Sequence, residues 1–204
     1  MLFVISGPSG CGKSTLIGRV MEELGDVRFS ISFTTRRRRA AEVDGREYHF
    51  VSKKAFETMI REGRFLEWAI VHGRHYGTSR AEVDEKATTG DILLDIDIQG
   101  ARQVGASGRP ASFIFIMPPV FEELRRRLLK RRTEDQASLS ERLADARTEI
   151  QAYREFDFVV INEDLEKAVV DFKSIILASR CRPTSRKKRI DGILRSFFPE
   201  GGRR

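Results

Sequence analysis

Residues 7–14 of the chain read G-P-S-G-C-G-K-S and match the phosphate-binding loop pattern G-x-x-x-x-G-K-[ST]. Three glycines let the backbone curl so that its N–H groups point at a bound phosphate. The ammonium of Lys13 can follow the β- and γ-phosphates, and the hydroxyl of Ser14 can ligate the Mg²⁺ that bridges them. The pattern therefore predicts a site for a nucleoside triphosphate. The residues expected to contact it are Gly7, Pro8, Ser9, Gly10, Cys11, Gly12, Lys13, Ser14 and Thr15.

The residues on either side of this loop have the pattern of a buried strand followed by a helix. Residues 2–5 are all apolar, and apolar side chains recur at helical spacing from Leu16 to Leu24, before Gly25. A glycine-rich turn without a ligand is the alternative interpretation. The order of strand, loop and helix favours phosphate binding, because the helix then directs its positive dipole end at the anion.

The rest of the chain alternates strand-like and helical segments, which is typical of an α/β domain whose parallel sheet is covered by helices on both faces. Apolar runs predict core strands at residues 2–6, 91–95, 112–117 and 157–161. Pro118 and Pro119 open a predicted helix that continues to about Leu129, and Asp164 can cap another that runs to Leu177. We therefore expect an α/β, P-loop nucleoside-triphosphate-binding fold.

Composition and charge are compatible with one globular domain that carries inserted segments. The chain has 204 residues, of which 40% are hydrophobic, enough to fill a core. Its net charge of +7 comes from the C-terminal residues 180–204, which hold nine Lys or Arg and two Asp or Glu. Residues 1–179 are neutral, with 28 charges of each sign. A neutral body with a basic tail gives no reason to expect a specific nucleic-acid partner.

The two cysteines and the N-terminal segment bear on the cellular compartment. Cys11 and Cys181 provide neither a disulfide framework nor a metal-ligand spacing, which suits a reducing environment. The N-terminal apolar run of about five residues is too short for a signal peptide or a membrane span. We expect a cytoplasmic protein with no membrane span.

Two polar regions interrupt the alternation of strands and helices. Residues 28–90 contain the run S-F-T-T-R-R-R-R at 32–39, and residues 125–142 place arginines on both sides of an acidic, polar stretch. An enzyme that transfers a phosphoryl group needs a cradle for the acceptor and a movable cover that excludes water. The two regions are candidates for these parts, and a solvated charged loop is the alternative for residues 36–39.

Several motifs occur together in a fixed order: G-P-S-G-C-G-K-S-T, S-F-T-T-R-R-R-R, E-V-D-G-R-E-Y-H-F, F-L-E-W-A, Y-G-T-S and L-D-I-D-I-Q-G. In this order they resemble the guanylate kinase family, and the resemblance runs from about residue 2 to residue 178. It implies ATP- and Mg²⁺-dependent phosphorylation of GMP or dGMP to the diphosphate, within purine nucleotide metabolism and GMP recycling. It also implies a kinase domain at 1–180, with a core at 1–31 and 91–180, a GMP-binding lobe at about 32–90 and a lid at about 125–145.

The resemblance assigns the acceptor site. Guanidinium groups such as those of Arg36 and Arg39 present planar donor forks that suit the GMP phosphate, and the two matching tyrosines can donate to the same group. The carboxylate of Glu67 matches the acceptor for two adjacent guanine donors, N1–H and the exocyclic amine, whereas adenine presents an acceptor at N1. The residues assigned to GMP are Ser32, Arg36, Arg39, Tyr48, Glu67, Tyr76, Thr78 and Asp97.

The remaining implied residues concern the metal, the lid and the adenine. Asp95, which ends a predicted strand, is assigned with Ser14 to Mg²⁺, and Asp97 is assigned to the acceptor side. Capping at the strand end is the alternative role for the two aspartates. Lid arginines would stabilise the transferring group as the lid closes. The implied catalytic residues are Lys13, Arg127, Arg131 and Arg142, and those bordering the adenine or its ribose are Asn162 and Asp164.

The sequence leaves two other functions and the purpose of the tail open. A kinase for AMP, dTMP or a sugar phosphate would share the loop and the lid, and a guanylate-kinase-like interaction module would bind peptides without catalysis. In the tail, residues 181–204, apolar residues fall at helical spacing among basic ones, as in an amphipathic helix. Such a helix would dock on the kinase or on a second copy in a homo-oligomer, bind an acidic membrane or polyanion, or stay disordered.

Overall fold

Residues 1–130 and 136–198 of a computed structural model are described, and they form two sheets with helices packed on them. Arg131 lies outside the described residues. In chain order the elements are β1 (Leu2–Ser6), α1 (Lys13–Glu23), β2 (Val27–Phe29), β3 (Phe33–Thr34), β4 (His49–Phe50), α2 (Lys53–Arg61), β5 (Phe65–Val71), β6 (Arg74–Ser79), α3 (Arg80–Ala87), β7 (Asp91–Asp95), α4 (Ile98–Ala106), β8 (Ser112–Met117), α5 (Phe121–Lys130), α6 (Gln136–Glu149), a 3₁₀ helix (Ile150–Glu155), β9 (Phe158–Ile161), α7 (Leu165–Arg180) and α8 (Lys187–Phe197).

The larger sheet has the strand order β2-β7-β1-β8-β9, and every neighbouring pair is parallel. Strand β1 lies at its centre and is buried along its whole length, as a strand covered on both faces should be. The predicted α/β fold and the predicted strands 2–6, 91–95 and 112–117 are confirmed. The fourth strand begins one residue later than predicted, at Phe158, and the preceding Asp157 carboxylate accepts a hydrogen bond of 2.9 Å from the Phe113 N–H.

Alternate residues of the central strands face two hydrophobic cores. Phe3 and Ile5 contribute to the core that α1, α5 and α7 cover, whereas Leu2 and Val4 contribute to the core beneath α3 and α4. This period of two is the one that a strand imposes on its side chains. The sequence does not predict the edge strand β2, because only Val27 of its three residues is buried.

The smaller sheet is mixed, with the order β4-β3-β6-β5, and its strands lie within the lobe predicted at residues 32–90. Strands β5 and β6 form a hairpin whose two turn residues, His72 and Gly73, both have positive φ, as a tight two-residue turn requires. Phe56 of α2 stacks on Phe65 of β5, with ring centroids 4.4 Å apart, in a separate small core. The limits of this lobe as a domain stay a prediction.

Helix α8 belongs to the basic tail and contributes no buried residue. Its apolar face is open, since the exposed fractions of Ile193, Leu194, Phe197 and Phe198 lie between 48% and 74%. The described core therefore does not cover this face. Within residues 1–130 and 136–198, no helix is both long and apolar enough to cross a bilayer.

Candidate active site

The loop between β1 and α1 has the backbone shape that phosphate binding needs. Gly7, Gly10 and Gly12 have φ of 143°, 89° and 99°, a region that other residues rarely adopt. Space also demands glycine, because a Cβ on Gly7 would lie 2.2 Å from the carbonyl oxygen of Ile116. A Cβ on Gly12 would lie 2.2 Å from Asn162 Nδ2. The loop is therefore enclosed by β8 and by the residue that follows β9.

Lys13 opens α1, and its side chain lies back across the loop. The Lys13 ammonium donates to the carbonyl oxygen of Gly7 at 2.6 Å. This ammonium and the N-terminus of α1 bring positive charge to the same loop. Asp95 lies half-buried at the end of β7, where burial raises the pKa of its carboxyl and the charge of Lys13 opposes the rise. The Lys13 ammonium and the Asp95 carboxyl thus lie at the loop predicted to hold the triphosphate.

Two side chains bind the backbone of the loop through hydrogen bonds: Arg127 of α5 and Asn162, which follows β9. The Asn162 side-chain amide donates to the carbonyl oxygen of Cys11 at 2.8 Å, and Arg127 Nη1 donates to the same oxygen at 3.2 Å. Arg127 Nη2 donates to the main-chain oxygen of Asn162 at 2.9 Å, and Arg127 Nε donates to Glu123 at 2.7 Å. Arg127 and Asn162, both predicted to contact the nucleotide, therefore hydrogen-bond to the loop. Their roles toward the transferring group and the adenine stay predictions.

Helix α6 carries Arg142 and ends at Glu149. Arg142 is half-buried on the helix, and its predicted catalytic role, like that of Arg131, stays a prediction. Glu149 ends the helix near Lys13 and Asp97. Burial raises the pKa of the Glu149 carboxyl, and the charge of Lys13 opposes this rise. No sequence motif pointed to Glu149, because only the folding of α6 back onto the core brings it here.

The other residues predicted for the triphosphate have varied surroundings. Ser14 and Thr15 are exposed on the first turn of α1. The Cys11 side chain is fully buried, and burial raises the pKa of its thiol, so it serves as a neutral packing group. The Asp164 carboxylate caps α7 and accepts the Lys167 N–H at 2.9 Å, as its position before the helix predicts.

A second cluster of predicted residues lies in the smaller sheet and the loop after β3. The guanidinium of Arg36 lies 5.3 Å from the ring centroid of Tyr48, whose ring is 5.8 Å from that of Tyr76. Burial raises the pKa of Tyr48 to about 12, so its phenol is a neutral donor. The Arg39 side chain is exposed, and its backbone N–H donates to Glu42 at 2.8 Å. Sequence reasoning missed Glu42, which accepts two hydrogen bonds from Arg36.

Glu67 is the buried carboxyl of this cluster, with only 4% of its surface exposed. A bulge in β5 between Phe65 and Glu67 alters the pairing there, and Glu67 Oε1 accepts a hydrogen bond from the Thr78 hydroxyl. Burial raises the pKa of Glu67 to about 7, with a smaller contribution in the same direction from Asp97. The Glu67 carboxyl is thus largely removed from water, and an ionised carboxylate in such a place needs hydrogen-bond donors.

Asp97 and Ser32 complete the set predicted for the acceptor. The Asp97 carboxylate caps α4 by accepting the Gly100 N–H at 2.8 Å, so the structure shows the capping role, and burial raises the pKa of the carboxyl. Ser32 is half-buried, and its main-chain oxygen accepts the His49 N–H at 2.9 Å. The roles of both toward an acceptor stay predictions.

One short chain segment connects the two clusters, because the charge of Lys13 acts on Asp95 and the charge of Asp97 acts on Glu67. The family model described as guanylate kinase matches residues 1–179. The chain belongs to the guanylate kinase family. It is therefore an enzyme, a kinase that phosphorylates GMP with ATP as donor. The predicted resemblance is confirmed, and the alternatives of another small-molecule kinase and of a peptide-binding module are set aside.

Individual guanylate kinases are similar to this chain over most of its length. The guanylate kinase of Syntrophotalea carbinolica is 51% identical over 183 residues, which are 89% of this chain and 87% of that protein. The guanylate kinase of Vibrio vulnificus is 43% identical over 202 residues, 98% of each chain. The crystal structure of guanylate kinase from Anaplasma phagocytophilum superposes with a TM-score of 0.79 at 33% identity, and the match covers 98% of this chain and 95% of that one. The fold is thus that of the P-loop kinases.

Proposed function

We propose that this guanylate kinase transfers the γ-phosphoryl group of ATP directly, in line, to a phosphate oxygen of GMP, and that it accepts dGMP as well. The observation that carries the proposal is the segment Asp95–Asp97, which links the donor loop to the buried Glu67. In this arrangement the loop and Lys13 hold ATP while Glu67 accepts N1–H and the amine of guanine. The predicted contacts involve the base and the phosphate, so loss of the 2′-hydroxyl removes none of them.

The reaction requires no general base among the residues of the site. A phosphate monoester has a second pKa near 6, so the attacking oxygen of GMP is largely ionised near pH 7. Catalysis then consists of positioning and of neutralising the charge that shifts during transfer. In our proposal Lys13, Arg127, Arg131 and Arg142 supply that charge on the donor side. Arg36, Arg39, Tyr48 and Tyr76 hold the acceptor phosphate. Ser32 and Thr78 contact the base, and Asp97 borders the GMP site.

The oxygen donors at the loop fit a Mg²⁺ ion that arrives with ATP. Among residues 1–130 and 136–198 there is no group of three His, Cys, Asp or Glu that could hold a metal ion. Mg²⁺ is usually held by one or two protein oxygens together with phosphates and water. The exposed Ser14 hydroxyl and the Asp95 carboxylate provide such oxygens. When bound, the ion would neutralise charge on the triphosphate.

We also propose a cytoplasmic location, a place in purine nucleotide recycling and a homo-oligomer joined through α8. Both cysteines are free, with Cys181 exposed, which suits a reducing compartment. The open apolar face of α8 supports self-association, because the described core leaves it uncovered. A chain that ends at Arg186 should keep full activity and have a lower solution mass than the whole protein. An unchanged mass would argue against the homo-oligomer.

The function is tested by measuring ADP release with GMP, dGMP, AMP and dTMP as acceptors. We expect turnover with GMP and dGMP and at least about 10²-fold lower kcat/KM with AMP, because adenine leaves the buried carboxylate unpaired. Chelation of divalent cations should stop the reaction. Equal turnover of AMP and GMP would contradict the proposed role of Glu67, and turnover without a divalent cation would contradict the role of Mg²⁺.

A further inference from the structure

The core helix α4 and the lobe strand β5 meet beside the carboxylate proposed to recognise guanine. Asp97 caps α4, and Gly100 and Gln103 follow at intervals of three residues, which places the three on one side of the helix. The strand they contact, β5, is one of the two edge strands of the smaller sheet. One of its edges pairs with β6, so the backbone groups of the other edge need partners from elsewhere.

Gln103 provides those partners at the residue that follows Glu67. Its Nε2 donates to the main-chain oxygen of Trp68 at 2.6 Å, and the Trp68 N–H donates to its Oε1 at 3.1 Å. The side-chain amide thus makes the two hydrogen bonds that a neighbouring peptide group would make. Since Trp68 directly follows Glu67, this pair fixes the backbone that carries the recognition carboxylate.

Gly100 leaves the space that the Glu67 side chain occupies. A Cβ on Gly100 would lie 2.4 Å from Glu67 Oε2 and 3.0 Å from its Cδ. Gly100 lies within α4 and does not have a positive φ, so space rather than backbone conformation requires glycine here. On the opposite side the Thr78 hydroxyl donates to Glu67 Oε1. The carboxylate is therefore held between a hydroxyl of the smaller sheet and a helix of the core.

We propose that Gln103 and Gly100 are positioning residues that hold Glu67 in register for guanine, and that discrimination against adenine depends on this contact between α4 and β5. The inference rests on the proposed acceptor role of Glu67. A carboxylate distinguishes guanine from adenine only while its oxygens are aligned with N1–H and the amine, because hydrogen bonds weaken steeply with angle. In this proposal Gln103 acts on Glu67 through the backbone of Trp68, and Gly100 acts on it by leaving space for its side chain.

The first test compares Gln103→Ala with Arg102→Ala. Gln103→Ala should raise the KM for GMP about fivefold and lower the GMP-to-AMP ratio of kcat/KM by a similar factor, the effect of losing one or two hydrogen bonds. The KM for ATP should not change. Arg102 is the adjacent exposed residue of α4, and its guanidinium donates to Glu155 at 2.6 and 2.7 Å, away from β5. Its alanine variant should keep both the KM for GMP and the ratio.

The second test asks whether Gly100 acts through Glu67. Gly100→Ala should raise the KM for GMP at least about tenfold in the natural chain, because the added methyl displaces the carboxylate. In a Glu67→Ala background the same substitution should have little effect, since the clashing atoms are gone. A merely structural glycine would show the same loss in both backgrounds. Thermal unfolding of each variant checks that it is folded.

Several outcomes would overturn the inference. One is a Gln103→Ala variant with an unchanged KM for GMP and an unchanged GMP-to-AMP ratio. Another is an equal effect of Gly100→Ala with and without the Glu67 side chain. A third is a KM for GMP that rises as much in Arg102→Ala as in Gln103→Ala. If the natural chain itself showed no preference for GMP over AMP, the proposed function would fail before these variants were compared.

Discussion

The carboxylate of Glu42 accepts two hydrogen bonds from the guanidinium of Arg36, of 2.7 Å from Nη2 and 3.0 Å from Nη1. It also accepts the Arg39 N–H at 2.8 Å. Glu42→Ala should raise the KM for GMP about fivefold or more, because Arg36 loses the partner that orients it and a charged hydrogen bond contributes about 1–3 kcal/mol. Initial rates with varied GMP and varied ATP measure the effect, and the KM for ATP should stay constant.

Glu47→Ala is the matched control for this variant. Glu47 lies in the same loop, accepts the Val43 N–H at 2.7 Å and pairs with Arg46 at 2.6 Å. Within the described residues, the Arg36 guanidinium bonds instead to Glu42 and to the main-chain oxygen of Arg37. Its removal should change the KM for GMP by less than about twofold, as for most surface substitutions. Tighter GMP binding by Glu42→Ala would contradict the positioning role and indicate that the carboxylate only repels the acceptor phosphate.

Lys13→Ala should lower kcat by at least about 10²–10³-fold. The variant lacks a positive charge that is already in place to stabilise the transferring phosphoryl group in the transition state. GMP binding should largely survive, since Lys13 belongs to the donor loop and its ammonium donates to Gly7. Calorimetric titration with GMP and a steady-state assay separate the two effects. Turnover close to that of the natural chain would refute the assignment of this loop.

Glu67→Gln should stabilise the ligand-free protein at pH 8 while weakening GMP binding. The folded-state pKa of Glu67, about 7, lies above its ordinary value of 4.5, so the fold loses stability as the pH rises from 4.5 to about 7, and the full cost of ionising this side chain is present above pH 7. A neutral glutamine removes about 1–3 kcal/mol of that cost at pH 8. At pH 5 the folded protein already holds Glu67 protonated, so the gain should be much smaller. Denaturant unfolding at the two pH values tests this.

The KM for GMP should rise as the pH falls below 7. Guanine donates to the ionised Glu67, and the free protein increasingly protonates this carboxyl below its pKa of about 7. The rise should approach about tenfold per pH unit, the limit for one proton. Because the GMP phosphate itself titrates near pH 6, the Glu67→Gln variant serves as the reference that keeps only that second effect. An identical pH profile in the two proteins would contradict the role of Glu67.

Short stretches of sequence predicted the phosphate-binding loop, the core strands and one helix cap. The loop at residues 7–14 is a contiguous motif, and the core strands are uninterrupted apolar runs because both of their faces are covered. The cap at Asp164 is a property of one side chain and the first turn of its helix. The short edge strand β2 escaped prediction, because three residues with one buried side chain do not form a pattern.

The sequence by itself determined the fold class, the family and the residues predicted to bind the two nucleotides. Each of these depends on residues that are adjacent or regularly spaced in the chain. The tertiary structure alone decided which side chains hold those residues in place. Gln103 meets Trp68 across 35 positions, and Asn162 meets Cys11 across 151. Such pairs depend on how strands and helices pack, and no local spacing encodes them.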